Sequence, residues 1–332
     1  MTAVPPFVSA PGKVMLFGEY AVLDGHEALL VAVDRYIETR FEPSDGLSID
    51  AAPFGTYPST TEHDRLPFVE AVLREFAPRD CRFKIRARGF EVNGQKLGLG
   101  SSAASTVSFI GAAMSAMGRP LDHSEVFRIA QNSHHSVQGL GSGADIATSV
   151  YGGAIRYAWR KDAHAGAEHC VETEVGTGHI TQIGTGLESI LTVWTGRPAS
   201  TRALVTAMHI HRQSSDYVDF MARLGVAAVE GAGAWQSAQR RQLIDAMSSC
   251  ADLLKGMTRR FDTAIWTPAH DRIEEIVGQR GAIKPTGAGG GDLAWVLGTT
   301  QADDDLLESE LKAAGYPCYR LMVSPHGVHL QT

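Results

Sequence analysis

The spacing of hydrophobic positions along this chain changes several times, and each change marks an element. Phe7 to Leu16 reads as a strand around a Pro-Gly step, and Phe17 to Leu23 runs into an Asp24-Gly25 turn of the kind that closes a hairpin. Ala28 to Val33 predicts a buried strand and Tyr36 to Phe41 a separate one. After a Pro- and Thr-rich surface segment from Ala52 to Glu62, Leu66, Val69, Val72, Leu73 and Phe76 fall at helical spacing. Arg82 to Arg88 alternates basic and apolar residues with period two, which predicts a strand with one wet face. Val107, Ile110, Met114 and Met117 share a helix face that begins at or just after Ser101 and stops at Gly118 and Pro120.

The second half follows the same logic. Asp122 and Glu125 stand in capping-box spacing at the head of another helix. Ala154 to Trp159 predicts a strand, Arg160 to Glu168 a surface hairpin, and the four glycines from Gly176 to Gly186 a domain boundary. A strand at Ser189 to Trp194 precedes helical patterns from Ala203 to Val277, which glycines at 225, 231 and 256 are expected to divide. Leu293 to Leu297 reads as a strand, Asp303 to Ala314 as a polar helix, and Tyr319 to Val323 and Val328 to Leu330 as strands.

Composition narrows the class. At 332 residues, with 44% hydrophobic and 20% charged positions, the chain can bury a core large enough for two domains. A formal net charge of -7 argues against general nucleic-acid binding, so the expected partner is small. Cys81, Cys170, Cys250 and Cys318 show no metal or redox spacing and read as free thiols. No apolar run approaches the roughly 18 residues of a membrane span, and a cytoplasmic location is expected.

Candidate chemistry gathers at three glycine-rich loops. Gly98-Leu-Gly-Ser-Ser-Ala-Ala104 precedes a helix, so its amides and the helix dipole make either a phosphate cradle or simply a tight loop. Gly139 to Gly153 places Asp145 straight after its glycines, where a carboxylate caps a helix or faces a bound substrate. Lys284-Pro-Thr-Gly-Ala-Gly-Gly-Gly-Asp292 has four glycines in five residues, which favours close approach to a ligand or to another loop. Lys13 and Glu19 are charges in apolar segments, and they either pair with each other or face a polar cleft.

Several familiar sites are excluded on detail. There is no G-x-x-x-x-G-K-[ST] loop, and Gly98-Leu-Gly100 lacks the buried strand that a dinucleotide fold needs before it. The protein-kinase H-R-D and D-F-G elements and the G-x-S-x-G elbow of serine hydrolases are missing. His134 and His135 point to different helix faces and make a poor metal pair.

Pro11 to Leu23, Gly98 to Ala104 and Lys284 to Asp292 resemble, in order and across nearly the whole chain, the three motifs of the GHMP small-molecule kinases. The resemblance implies an α+β two-domain GHMP kinase fold, with a ribosomal protein S5 domain 2-like α/β domain (residues 1–185) and a ferredoxin-like α/β domain (residues 186–332). ATP and Mg²⁺ would bind between them. Tyr20, the run Val137 to Ala147, the segment Trp194 to Thr201 and Asp292 lean toward the phosphomevalonate kinase group. Mevalonate kinases place a Mg²⁺-binding Glu eleven residues before the catalytic Asp, where this chain has His134. The alternatives are a mevalonate kinase, a decarboxylase-type lyase of the same superfamily and a non-catalytic binding homologue.

By the same resemblance Lys13 and Asp145 are the catalytic pair. Gly98, Leu99, Gly100, Ser101, Ser102, Ala103 and Ala104 hold the nucleotide, with the Ser102 hydroxyl on the metal. Glu19, Tyr20, Ser142, Gly143, Arg197, Thr286, Gly287, Ala288 and Gly289 face the acceptor, which is phosphomevalonate or mevalonate. An acceptor that already carries a phosphate needs a further cation, for which Arg197 and Lys84 are the candidates. No nucleic acid or membrane partner is implied, and a homodimer is left open.

Overall fold

A large sheet is built around one long strand, whose first six residues are all buried. The structure, a computed structural model, describes residues 5–46, 48–52, 55–58, 75–76, 81–92, 94–138, 141–160, 167–174, 176–184 and 186–331. Strand β1 (Val8–Phe17) is followed by a 3₁₀ turn at Ala21–Asp24, which Gly25 closes in the left-handed region. Strand β2 (Ala28–Pro43) is continuous through both segments expected to be separate, because its pairing with β1 runs from Leu29 to Thr39 across the junction between them. A bulge between Pro11 and Gly12 absorbs the change of face that had suggested a break.

The remaining strands add to this spine. They are β3 (Ser48–Ala52), β4 (Gly55–Pro58), β5 (Cys81–Arg88), the small pair β6 (Glu91–Val92) and β7 (Gln95–Lys96), β8 (Ala154–Arg160), β9 (His169–Thr173) and β10 (Gly176–Ile183). In the order β4-β3-β5-β2-β8-β10-β9, the free edge of β2 is shared by β8 at one end and β5 at the other. All these pairings are antiparallel except β3 with β5. Gly176 and Gly178, expected at a boundary loop, therefore lie within a paired strand. Of the helix expected to end at Phe76 only Glu75 and Phe76 are described, and most of the expected hairpin between β8 and β9 lies outside the described residues.

Helices α1 (Ser101–Ala116) and α3 (Ala144–Tyr151) pack on β1 and β2, and α2 (His123–Gln138) packs on β9 and on both of these helices. Each starts where the sequence places a signal. Gly100 and Gly143 precede α1 and α3 with positive φ, and the Asp122 carboxylate accepts from the Glu125 amide at 2.8 Å.

The second layer runs β11 (Ser189–Trp194), α4 (Thr201–His209), α5 (Ser215–Gln236), α6 (Arg240–Phe261), α7 (Pro268–Val277), β12 (Gly281–Pro285), β13 (Leu293–Gly298), α8 (Gln301–Ala313) and β14 (Cys318–Met322). Its four strands lie in the order β12-β13-β11-β14 and are all antiparallel, the split β-α-β arrangement of ferredoxin-like folds. The last strand, β15 (His329–Leu330), returns to pair with β1. Gly225, Gly231 and Gly256 sit inside helices rather than between them. A Cβ at Gly225 or Gly231 would come within 2.5 Å of His26 or Phe17, so these glycines let α5 close onto the first sheet.

Period two in β13 separates two cores. Leu293, Trp295 and Leu297 join the main core, whereas Ala294 and Val296 face Ile273, Leu307 and Leu311 from α7 and α8. Trp295 is fully buried and meets the Phe17 ring edge-on at 5.9 Å, a contact that joins the two sheets. Among the described residues no helix is long and apolar enough to cross a membrane. Trp295→Ala is expected to lower the unfolding free energy by about 3–5 kcal/mol in a denaturant titration, and a loss under about 1 kcal/mol would show that this contact is not where the layers are joined.

Candidate active site

Lys13 is the point where the three glycine loops meet. Its backbone amide donates to the Leu99 carbonyl at 2.9 Å, and its Nζ donates to the Gly98 carbonyl at 3.4 Å. Gly98 and Gly100 have φ of 73° and 75°, a region costly for other residues. Space forbids side chains there as well: a Cβ at Gly100 would press on the Lys13 stem at 3.0 Å, and one at Gly98 would meet the Asp292 carboxylate at 2.8 Å. The loop at 98–104 is thus held between the first motif and the last.

Beyond Gly100 the first turn of α1 has no side-chain cap, so its leading amides are free to meet an anion. Ser102 Oγ is buried and has no hydrogen-bond partner among the described residues, which leaves a hard oxygen donor at the head of this helix. Ala103 and Ala104 are buried and pack the turn from beneath.

On the other side of Lys13 opens a cavity of about 350 Å³. Its wall includes Lys13, Asp145, His134, Ser142, Arg202 and Ala288, with Glu19, Tyr20 and Gly287 also contributing. Asp145 stands in the first turn of α3, where its Oδ1 accepts from the Ile146 amide at 3.0 Å, and it also lines the cavity. Ser142 Oγ accepts from the Ala144 amide at 3.3 Å, and Gly143 supplies the left-handed turn that starts the helix. Gly139 and Leu140, which precede this turn, lie outside the described residues.

Charge around Lys13 is finely divided. Burial pushes its ammonium pKa down, and Asp145, Asp292 and Glu19 oppose that shift in this order. Asp292 is pushed up by burial, opposed by the Ala199 amide, which donates to Oδ1 at 3.2 Å, and by Lys13. Asp292 itself holds a positive φ of 52°, fixed by bonds from its amide to the Arg197 carbonyl at 2.8 Å and from the Thr195 amide and hydroxyl to its carbonyl, each at 3.0 Å.

Glu19 does not pair with Lys13. It forms an ion pair with Lys284, both side chains being fully buried, and Lys284 Nζ also donates to the Pro285 carbonyl at 2.7 Å. The Cys250 thiol donates to Glu19 Oε2 at 3.8 Å. Burial raises the Glu19 pKa and Lys284 opposes the rise. The next residue, Tyr20, has a φ of 61° and donates its hydroxyl to the Ala288 carbonyl at 2.5 Å, so the first motif is tied to the last at two consecutive positions. Lys284 was visible in the sequence only as the head of a glycine motif; its role shows once the sheets are packed.

Other expected contacts resolve differently. Thr286 bonds back to the Leu293 carbonyl with amide and hydroxyl, and Gly289 packs on the Ile265 carbonyl, so both shape the loop rather than line the cavity. Arg197 is exposed and contributes its backbone carbonyl to Asp292. Lys84 lies on β5, where it pairs with Glu42 at 3.0 Å, because the wet face of that strand is matched by acids on β2. Besides Lys13, the cation at the cavity among the described residues is Arg202, an exposed residue in the first turn of α4. In the sequence it stands one residue past the Trp194 to Thr201 segment, with no spacing that marks it.

Comparison with known proteins bears on the fold and on what the chain is similar to. Residues 68–153 match the model of the GHMP kinases N terminal domain. Phosphomevalonate kinase of Streptomyces sp. (strain CL190) is 29% identical over 90% of this chain and 91% of its own length. Mevalonate kinase of Archaeoglobus fulgidus is 31% identical over 46% of this chain and 53% of its own. The structure of Streptococcus pneumoniae phosphomevalonate kinase in complex with phosphomevalonate and AMPPNP superposes with a TM-score of 0.79 at 20% identity, over 95% of this chain and 99% of that one, which shows a shared fold.

Breaking the Glu19–Lys284 pair from one side should be costly. Lys284→Met leaves a buried carboxylate unpaired and is expected to cost about 3–5 kcal/mol of stability, part of which Glu19→Gln in the same chain restores. Denaturant titration of both single variants and the double checks this, and strictly additive losses would contradict the coupling.

Proposed function

We infer that this chain, a GHMP kinase by its N-terminal domain and its two-domain fold, is an ATP-dependent phosphotransferase that transfers the γ-phosphoryl group of ATP to 5-phosphomevalonate to give 5-diphosphomevalonate. The observation that carries the reading is the position of Lys13, whose side chain lies along the glycine loop while lining the cavity that holds Asp145 and Arg202. The relative that spans nine-tenths of the chain supports phosphomevalonate as acceptor. We place the reaction in the cytoplasm and the domain boundary between Ile183 and Ser189, where the chain leaves β10 of the large sheet and enters β11 of the four-stranded one.

In the proposed reaction an oxygen of the acceptor phosphate attacks the γ-phosphorus. That P–O bond forms as the bond to the ADP oxygen breaks, and the leaving electron pair stays on ADP. Most of the catalysis is positioning and charge stabilisation. The amides of residues 101–103 receive nucleotide phosphate, and Lys13 neutralises charge on the transferred group as it crosses from loop to cavity. Mg²⁺ would be held by Ser102 Oγ and by the nucleotide phosphates, where it would supply further charge neutralisation.

Asp145 has a particular role with this acceptor. A phosphate monoester has a second pKa near ~6 and is largely dianionic at neutral pH, so the attacking oxygen carries no proton to remove. Asp145 instead orients the Lys13 ammonium, for which it is the leading carboxylate neighbour. Arg202 stands on the acceptor side and balances the phosphate that the acceptor brings.

An assay offering mevalonate and 5-phosphomevalonate separately with ATP is expected to show turnover of 5-phosphomevalonate, and turnover of mevalonate alone would sink the reading. In the same assay Arg202→Gln should raise KM for 5-phosphomevalonate roughly tenfold or more while leaving KM for ATP near wild type, as loss of a charge-assisted contact requires. Lys13→Ala and Asp145→Ala are each expected to lower kcat by about 10²-fold or more with an unchanged unfolding transition. A near-normal kcat would remove that residue from the mechanism.

A further inference from the structure

Helix α5 turns two apolar faces outward from its axis, and the fold covers one of them. Tyr217, Met221, Leu224, Ala228 and Trp235 are buried, and on this side Gly231 admits the Phe17 ring. Val218, Ala222, Val226, Val229 and Gly233 follow one another at intervals of three and four residues along a separate stripe, and all five are exposed. Val218, Val226 and Val229 are 59%, 58% and 49% exposed, which makes one helix stripe the site of three of the large hydrophobic side chains that the described residues leave in water. Single surface valines need no explanation, but a contiguous stripe does.

The polar flank of this stripe identifies what would cover it. Asp219, Arg223 and Glu230 stand side by side along its edge. Arg223 reaches Asp219 at 3.4 Å with both side chains well exposed, and Glu230 makes no ion pair among the described residues. Arg223 and Glu230 are equidistant from the midpoint between Val226 and Ala227. Two antiparallel helices related by a two-fold axis bring the same flank of each together. An axis beside Val226 and Ala227 therefore sets Arg223 of one copy against Glu230 of the other, and does so twice. Ala222 and Gly233 carry too little side chain to hold the helices apart.

We propose that the outward stripe of α5 is a self-association face, covered by α5 of a second copy of this chain in an antiparallel, two-fold symmetric contact. The argument for a second copy rather than another protein is that the face supplies its own charge complement. The contact lies behind the inner face of α5, which braces Phe17 and His26 at the first motif, so pairing would stiffen the helix that backs the candidate site.

Sedimentation velocity on the full chain over a concentration series tests this. The wild type is expected to sediment as a dimer, Val226→Glu as a monomer with an unchanged circular dichroism spectrum and thermal transition, and Arg223→Glu as a dimer weakened about tenfold or more. Arg223→Glu combined with Glu230→Arg should restore wild-type association, which a misfolded variant cannot do. The proposal is overturned if the wild type stays monomeric throughout, if Val226→Glu pairs as the wild type does, or if the charge swap fails to restore association.

Discussion

The buried ion pair between Glu19 and Lys284 is the constraint on which the candidate site depends. Two charges fully removed from water pay a desolvation cost that their attraction offsets only when the geometry is held from all sides. Here it is held by the Pro285 carbonyl, by the Cys250 thiol and by the Phe17 ring, which lies 5.6 Å from the Lys284 ammonium. Glu19 follows directly from β1, and Lys284 belongs to β12, so the pair fixes one sheet against the other. Tyr20 then reaches Ala288, Asp292 reaches the Gly98 turn, and Lys13 is left between them. A salt bridge of this kind is weak evidence for added stability; its effect is on register, because either charge is intolerable anywhere but opposite the other.

That dependence explains which features could be read from the sequence. Local signals served well where a single element decides its own limits. Period two gave β5, the Asp122 cap placed α2, and the glycines before Ser101 and Ala144 placed α1 and α3, because turn and cap chemistry act within a few residues. The two-domain GHMP kinase fold followed from three motifs in order, and its second sheet has the strand order that the resemblance implied. The break expected inside β2 failed for a tertiary reason, since pairing with β1 carries that strand through a change of face. Gly225 and Gly231 misled in a similar way. A glycine that ends a helix and one that admits a neighbouring ring look alike until the neighbour is known.

The site itself divides along the same line. Lys13, Asp145, Ser142, Tyr20 and Ala288 were nameable because each belongs to a motif with a recognisable local form, and the structure brings them to one cavity. Arg202 and the partner of Glu19 were not, because neither is marked by spacing. Lys84 shows the converse error: a basic residue in a basic strand looks available until the acidic side chains of the adjacent strand are seen opposite it. Charge counted along a chain is no guide to charge that remains free in the fold.

Electrostatic balance also accounts for the shape of the cavity region. With Glu19 paired to Lys284, the charged side chains about Lys13 and the cavity, among the described residues, are Lys13 and Arg202 against Asp145 and Asp292, which is close to neutral. In the proposed reaction a nucleotide triphosphate and a phosphorylated acceptor would bring several negative charges into that space. The groups on offer for them under that proposal cost little by themselves: the uncapped amides at the head of α1, the helix dipole behind them, and the buried, unpartnered hydroxyl of Ser102. More fixed cations would attract the substrates more strongly, but they would repel one another across a few ångströms in the empty site and bind substrate and transition state alike. A nearly neutral wall, with Lys13 held among carboxylates, would leave its strongest interaction for the charge that the proposed transfer moves past it.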